Sequence, residues 1–317
     1  MFAFAIWDTR TESLFLARDR MGIKPLYYTQ QESFFRFASN PQALMAGGEV
    51  DTHIDPVALH HQLTLHAVVP APRTILTGVR KLIPGTSLTI KVDGSSAQRR
   101  YWFLNAERPA EPRSEQEWTD AIHTALRESV RKRLEVADVP VGVLLSGGLD
   151  SSLLVALLAE AGVKDLLTFS IGFEDQPEEK GSEFEYSDQV VDRYQTRHHK
   201  YHIPNAEVLP RLPEAIQHMA EPMVGQDAVA FYLLAERVSQ EVKVVQSGQG
   251  ADEVFAGYFW FPRMHEDING TPVERFARYY FDRPHSEYLE SVTAPYRGDD
   301  YTCLLYTSDA ADDYLTV

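Results

Sequence analysis

The residues of this chain best suited to chemistry lie in one short string, Ser146-Gly147-Gly148-Leu149-Asp150-Ser151-Ser152. It follows an apolar run, Val139 to Leu145, and leads into the helix-forming stretch Ser151 to Glu160. Two adjacent glycines let a backbone turn tightly and approach a ligand with no side chain in the way. The unpaired N–H groups at the start of the following helix point into such a turn, where the helix dipole favours an anion. Ser146, Ser151 and Ser152 add hydroxyl donors, and Asp150 can hold a magnesium ion that neutralises phosphate charge. The string is not a Walker A loop, because it lacks the lysine that reaches the β- and γ-phosphates. A second glycine-containing string, Ser247-Gly248-Gln249-Gly250-Ala251-Asp252-Glu253, follows a second apolar run, Val242 to Gln246.

The elements that must hold these strings change character along the chain. The first hundred residues read as strands and turns: Leu14 to Ala17, Pro25 to Tyr28 and Phe34 to Ala38, with Arg18-Asp19-Arg20-Met21-Gly22 as a charged turn closed by glycine. Asp55 as N-cap and Pro56 at the first helical position predict a helix to Thr64. Leu82 to Val92 reads as a hairpin turning at Pro84-Gly85, ending at Asp93-Gly94. Residues 106–114, with two prolines and little apolar content, form the expected linker between a first domain (1–105) and a second (115–302).

Beyond the linker the period becomes helical. Ser114 and Glu117 make a capping-box pattern, and Trp118, Ala121, Ile122, Ala125 and Leu126 share one helical face. Val139 to Leu145 has the unbroken apolar character of a parallel strand covered on both faces. Strands Leu167 to Phe173, His199 to Ile203 and Val242 to Gln246 alternate with helices Ser151 to Glu160, Ser187 to Tyr194 and Ala228 to Ser239. That alternation predicts a doubly wound parallel α/β sheet.

The chain has 317 residues, a formal charge of −16, 44% hydrophobic and 24% charged residues, as expected of a soluble globular protein with room for two cores. The acidic balance argues against nucleic acid or an anionic membrane surface as the main partner. No apolar run approaches the length of a membrane span. The single cysteine, Cys303, excludes a disulfide framework or cysteine metal cluster and suits a reducing cytoplasm.

The two strings together resemble those of the asparagine synthetase family. The first is similar to the pyrophosphate loop of N-type ATP pyrophosphatases, and the second to the family's Ser-Gly-x-Gly-x-Asp-Glu segment. The resemblance implies an ATP and pyrophosphate site at Leu145, Ser146, Gly147, Gly148, Asp150, Ser151, Ser152, Ser247 and Gly248, with Ile171 of Ile171-Gly172-Phe173 at the adenine-contacting position. It implies that Asp150 and Asp252 bind magnesium and are the catalytic pair. Met1 to Asp8 and Arg18 to Tyr28 look like the second half of a class II glutaminase domain of the αββα kind. The implied fold is therefore a partial glutaminase domain followed by the ATP pyrophosphatase domain. The implied reaction joins glutamine-derived ammonia to an acceptor carboxylate through an acyl-adenylate, with ATP and Mg2+ required.

Within the family, the third position of the second string is commonly glutamate, where here it is Gln249, and Glu221 to Asp227 replaces an Asp-Pro-Ser-like segment. Gln249, Asp227 and Tyr258 are the acceptor-site candidates. The strings Leu65 to Pro70 and Val245 to Tyr258 look most like those of N-acetylglutaminylglutamine amidotransferases, whose capped acceptor has no ammonium group to pair with a carboxylate. Asparagine synthetase itself, a related β-lactam-forming cyclase, and a non-catalytic nucleotide-binding module are the alternatives.

Other features read more simply. His60-His61 and His198-His199 are adjacent residues that do not face the same way, so packing or surface roles are expected rather than a metal site. Glu178 to Glu185 reads as a solvated acidic loop, and Tyr258-Phe259-Trp260-Phe261 as a pocket wall or core packing. Residues 303–317 begin with a string that looks like a translated sequencing adapter, and the expectation is a chain cut at both ends. The family's nucleophilic cysteine would precede Met1, so this chain is not expected to catalyse the overall reaction by itself.

Overall fold

The computed structural model describes residues 1–302 except 106, 108, 178–179 and 224–226; the side chain of Asp227 is also outside the described set. Cys303 and the adapter-like stretch therefore lie outside the described residues. The chain divides into two compact units. The first gathers Met1–Glu107, Met219–Val224 and the chain from Arg263 on; the second holds Arg108–His218 and Gly225–Pro262.

In the first unit, β1 (Ala3–Asp8), β2 (Ser13–Arg18), β3 (Tyr27–Gln30) and β4 (Phe35–Ala38) precede helices α1 (Pro41–Ala46) and α2 (Pro56–Thr64). Asp55 caps α2 as expected, its carboxylate accepting from the amides of Val57 and Ala58 at 2.9 and 3.0 Å. Then come β5 (Arg80–Lys81), β6 (Thr86–Lys91) and β7 (Ser96–Arg100). Two antiparallel sheets result, in the orders β1-β2-β6-β7 and β4-β3-β5. Leu16, Leu26, Leu82, Leu88 and Ile90 pack into one core cluster.

The expected hairpin at Pro84-Gly85 does not form. β5 pairs with β3 and β6 with β2, so the chain passes from one sheet to the other at this point. Gly85 makes the passage with φ +68°, and a Cβ there would lie 2.3 Å from the Trp102 carbonyl oxygen. The hairpin is instead β6–β7, with Gly94 in its turn at φ +82°.

The charged turn after β2 is a buried polar knot. The Arg18 guanidinium donates to the carbonyl oxygens of Lys24, Leu82 and Gly22 at 3.0, 2.7 and 2.8 Å. The Asp19 carboxylate accepts the amides of Lys24, Ile23, Phe2 and Met21 at 3.0 to 3.2 Å. Burial pushes the Asp19 carboxyl up, but these four N–H groups together hold it below its ordinary value.

The second unit opens with α3 (Glu115–Glu135), started by the predicted capping box of Ser114 and Glu117. It continues through β8 (Val141–Leu144), α4 (Leu149–Glu160), β9 (Leu167–Phe173), α5 (Phe184–Tyr194), β10 (Arg197–Ile203), α6 (Asn205–His218), α7 (Asp227–Val238), β11 (Val244–Gln246) and α8 (Ala251–Phe255). Helices α9 (Trp260–Glu266), α10 (Pro272–Tyr280) and α11 (His285–Ser291) complete the described chain.

Its sheet runs β10-β9-β8-β11, every pair parallel. Val143 and Leu145 pack with Val130 of α3, Val155 and Leu158 of α4 and, partly, Val190 of α5. Leu144 and Phe169 turn the other way, onto Leu234 and Val238 of α7. Ile203 packs with Ala215 of α6 and Leu233 of α7. Helices thus cover both faces, and each fully buried side chain of this kind contributes about 1.5–3 kcal/mol. The doubly wound sheet is the one expected.

Two helices depart from expectation. Trp118 and Ile122 of α3 are exposed, and its packing comes from Leu126, Val130 and Leu134. A helix of 21 residues is far longer than the four-residue strand beneath it, so only its later half can lie on the core. α6 contains Pro210 and Pro213, which would ordinarily break a helix. Val208, Leu212 and Ala215 nevertheless bury one face of it.

Candidate active site

The order β10-β9-β8-β11 means that the chain runs outward from β8 through β9 to β10, then returns to place β11 on the other side of β8. At such a reversal the loops leaving two neighbouring strands diverge, and a crevice opens beyond their carboxyl ends. Both glycine strings leave these strands: residues 146–148 join β8 to α4, and residues 247–250 join β11 to α8.

The first turn is held by its own side chains. The Ser146 and Ser151 hydroxyls are 3.0 Å apart, the Gly148 amide donates to Ser146 Oγ at 3.2 Å, and Ser151 Oγ donates to the Gly148 carbonyl at 3.3 Å. Gly147 has φ +91°, and a Cβ there would stand 2.5 Å from the Ser187 amide nitrogen at the start of α5. Gly148 is the N-cap of α4 and no side chain caps the helix, so its first amides face the turn. Leu145 is buried, its amide bonded to the Phe169 carbonyl at 2.8 Å and its carbonyl accepting from the Ser170 hydroxyl.

The second turn lies directly against the first. A Cβ on Gly248 would be 2.9 Å from Asp150 Cβ and 3.2 Å from the Ser151 amide nitrogen. Asp252 sits in the first turn of α8, and Gly257 closes over it, its amide donating to the Asp252 carbonyl at 2.9 Å.

A cleft of about 600 Å³ opens between these turns, within the usual range for a small-molecule site. Leu145, Ser146, Gly148, Asp150, Ser151, Ile171, Ser247, Gly248, Gln249, Asp252 and Tyr258 all line it. Gly147 and Ser152 do not; Gly147 shapes the turn from behind, and the Ser152 amide is taken by the Gly148 carbonyl at 3.0 Å inside α4. Tyr258 donates to Glu253 at 2.9 Å and stacks on Trp260 at 4.2 Å, so its ring stands in the wall and not in a core. Asp227 begins α7, with its side chain outside the described residues.

The stretch read as a solvated acidic loop supplies part of the wall. Lys180, Gly181, Ser182, Glu183 and Phe184 line the cleft, while Glu178 and Glu179 lie outside the described residues. The Phe173 amide donates to the Gly181 carbonyl at 2.7 Å, folding this stretch back over the end of β9. Lys180 pairs with Glu185 at 3.0 Å, which raises the lysine pKa through a side-chain hydrogen bond and charge attraction. Its position after the carboxyl end of a parallel strand was the available signal for a ligand-facing cation.

The groups facing the cleft include hydroxyls, amides, one lysine and the carboxylates of Asp150, Glu183 and Asp252, a set suited to phosphates and to a hard, oxygen-ligated cation. Asparagine synthase, as a family, matches residues 121–300, and the glutamine amidotransferase domain matches residues 1–102. The chain belongs to the asparagine synthase family.

Family relatives include "Asparagine synthetase [glutamine-hydrolyzing] 1" of Bacillus subtilis, 35% identical over 87% of this chain and 42% of that protein. A "Putative asparagine synthetase [glutamine-hydrolyzing]" of Mycobacterium bovis is 37% identical over 93% of this chain and 44% of its own length. "Amidase chyE" of Penicillium rubens is 30% identical over 81% of this chain and 39% of that protein. The chain spans less than half the length of these curated relatives. No helix among the described residues is long and apolar enough to cross a membrane.

Proposed function

We propose that the cleft binds ATP and activates an acceptor carboxylate for amidation. The acceptor oxygen attacks the α-phosphorus, the α–β bond breaks and pyrophosphate leaves. Ammonia then attacks the acyl carbon and loses one proton to solvent, AMP departs with the bonding pair, and an amide remains. The observation that carries this reading is the contact between the two turns at Gly248 and Asp150, which puts two sets of phosphate-suited donors on one cleft.

In this scheme Ser146, Ser151, Ser247 and the first amides of α4 hold the phosphates, positioned before the reaction begins. Lys180 faces the same space and can offset charge developing on the departing pyrophosphate. Ile171, Leu144 and Phe231 offer the apolar wall for adenine. Asp150 and Asp252 would hold magnesium, which supplies charge neutralisation on the phosphates. Glutamine is the proposed source of ammonia, a reading that rests on the amidotransferase match over residues 1–102.

The proposed acceptor is N-acetylglutaminylglutamine. Gln249 supports it: a neutral amide lines the cleft where a carboxylate would pair with a free α-ammonium group. Aspartate is the second reading, favoured by relatives named as asparagine synthetases. ATP–pyrophosphate exchange, measured in a protein of the relatives' length carrying this sequence, separates them. Exchange driven by the capped dipeptide but not aspartate is expected. Exchange driven by aspartate alone overturns the acceptor, and ATP binding without exchange for any acceptor overturns the catalytic reading.

A further inference from the structure

The first unit brings together three metal-ligand side chains that the amidation scheme does not use. His60 lies in α2, His285 is the first residue of α11, and Asp300 follows α11. His60 Nε2 is 3.1 Å from His285 Nδ1 and 3.8 Å from Asp300 Oδ1, and the three ligand atoms all lie within 4.8 Å of one another. These separations allow one ion to sit at most about 2.4 Å from all three, close to ordinary zinc–nitrogen and zinc–oxygen distances. The sequence alone hid the site: the neighbouring His61 turns away to bond the Tyr301 carbonyl at 3.1 Å, and the true partner of His60 is 225 residues distant.

We propose that His60, His285 and Asp300 bind one divalent first-row transition ion, zinc foremost, leaving a fourth position open to water. Two imidazoles and a carboxylate are the donor set that such ions prefer, and harder ions such as magnesium favour all-oxygen sites. The ring of His60 is fully buried and held edge-on by Tyr288, with centroids 4.5 Å apart. Asp300 is positioned by Thr302, whose amide and hydroxyl donate to Oδ1 at 3.0 and 2.6 Å. Asp300 is exposed, which gives the ion a route in from solvent. The bound ion would tie α2 to α11 and to the segment after it.

The test uses the 317-residue chain with Cys303→Ser throughout, so that no thiol competes, stripped with a chelator and titrated with Co2+ and then Zn2+. Expected are one equivalent of Co2+ with the visible absorption of a low-coordinate nitrogen–oxygen site, displacement by Zn2+, and a rise in thermal midpoint with metal. His285→Gln and Asp300→Asn should weaken binding at least about tenfold while leaving the far-ultraviolet circular dichroism unchanged. These replacements avoid the buried His60, whose removal could unfold the unit. Absence of a saturable equivalent in the parent chain, or equal affinity in parent and both variants, overturns the site.

Discussion

Gly248 lies over Asp150 so closely that a Cβ on the glycine would stand 2.9 Å from the aspartate Cβ. Two turns that are 98 residues apart in the chain, counted from these two positions, therefore share one surface. The contact has no room for even a methyl group. Gly248→Ala should push the turns apart and weaken ATP binding by about tenfold or more, since small misplacements of binding groups are costly. Thermal stability should change little, because the turn lies outside the core clusters. Calorimetric titration with ATP checks this; parental affinity in the alanine variant would show that the contact is incidental.

Asp150 faces the cleft from the first turn of α4. Asp150→Ala should abolish acceptor-dependent pyrophosphate release in a protein of the relatives' length, a loss of several kcal/mol in transition-state stabilisation if the residue holds the metal. The fold should persist, as judged by circular dichroism. Turnover equal to the parent's would remove Asp150 from the mechanism.

Gln249 decides the acceptor in the proposed scheme. Gln249→Glu places a carboxylate where a capped dipeptide offers no ammonium group, so kcat/KM for that acceptor should fall. Activity with aspartate should stay level or rise. Comparing the two acceptors side by side in parent and variant is the measurement, and a rise for the dipeptide contradicts the assignment.

The Asp19 carboxylate gives the first unit a predictable pH dependence. Its folded pKa is depressed by the four amides that outweigh burial. The stabilisation is therefore full above the unfolded value of about 3.9 and is lost as pH falls through the lower folded value. Asp19→Asn should cost about 1–3 kcal/mol at pH 7. The gap between parent and variant should hold down to about pH 5 and narrow as pH falls further. Urea denaturation across that range tests the sign, and a gap constant to pH 2.5 would contradict it.

β1 pairs with β2 and stands at the edge of its sheet. Ala3 and Ala5 turn to the core, while Phe4 and Ile6 face outward at 39% and 55% exposure. An apolar edge of this kind promotes self-association. Replacing Phe4 and Ile6 together with lysine should reduce concentration-dependent light scattering without loss of secondary structure. Undiminished scattering would place the sticky surface elsewhere.

Much of the candidate site was legible before folding, because it is local. A strand, a glycine turn and a helix start are contiguous in sequence, so the string 146–152 carried its own geometry, and the α/β alternation around it implied the parallel sheet. The same holds for the Asp55 cap and the Ser114–Glu117 capping box, whose bonds span only a few residues. What the tertiary structure decided was everything resting on distant pairing. β11 lies beside β8 only because parallel strands need a long crossover, and that pairing is what sets Gly248 on Asp150. The passage at Gly85 looked like a hairpin because a turn signal does not say which sheet receives the next strand. α6 survives Pro210 and Pro213 because burial of Val208, Leu212 and Ala215 outweighs local propensity. His60 met His285 and Asp300 by the same rule: side-chain convergence across hundreds of residues is set by packing, which sequence spacing does not encode.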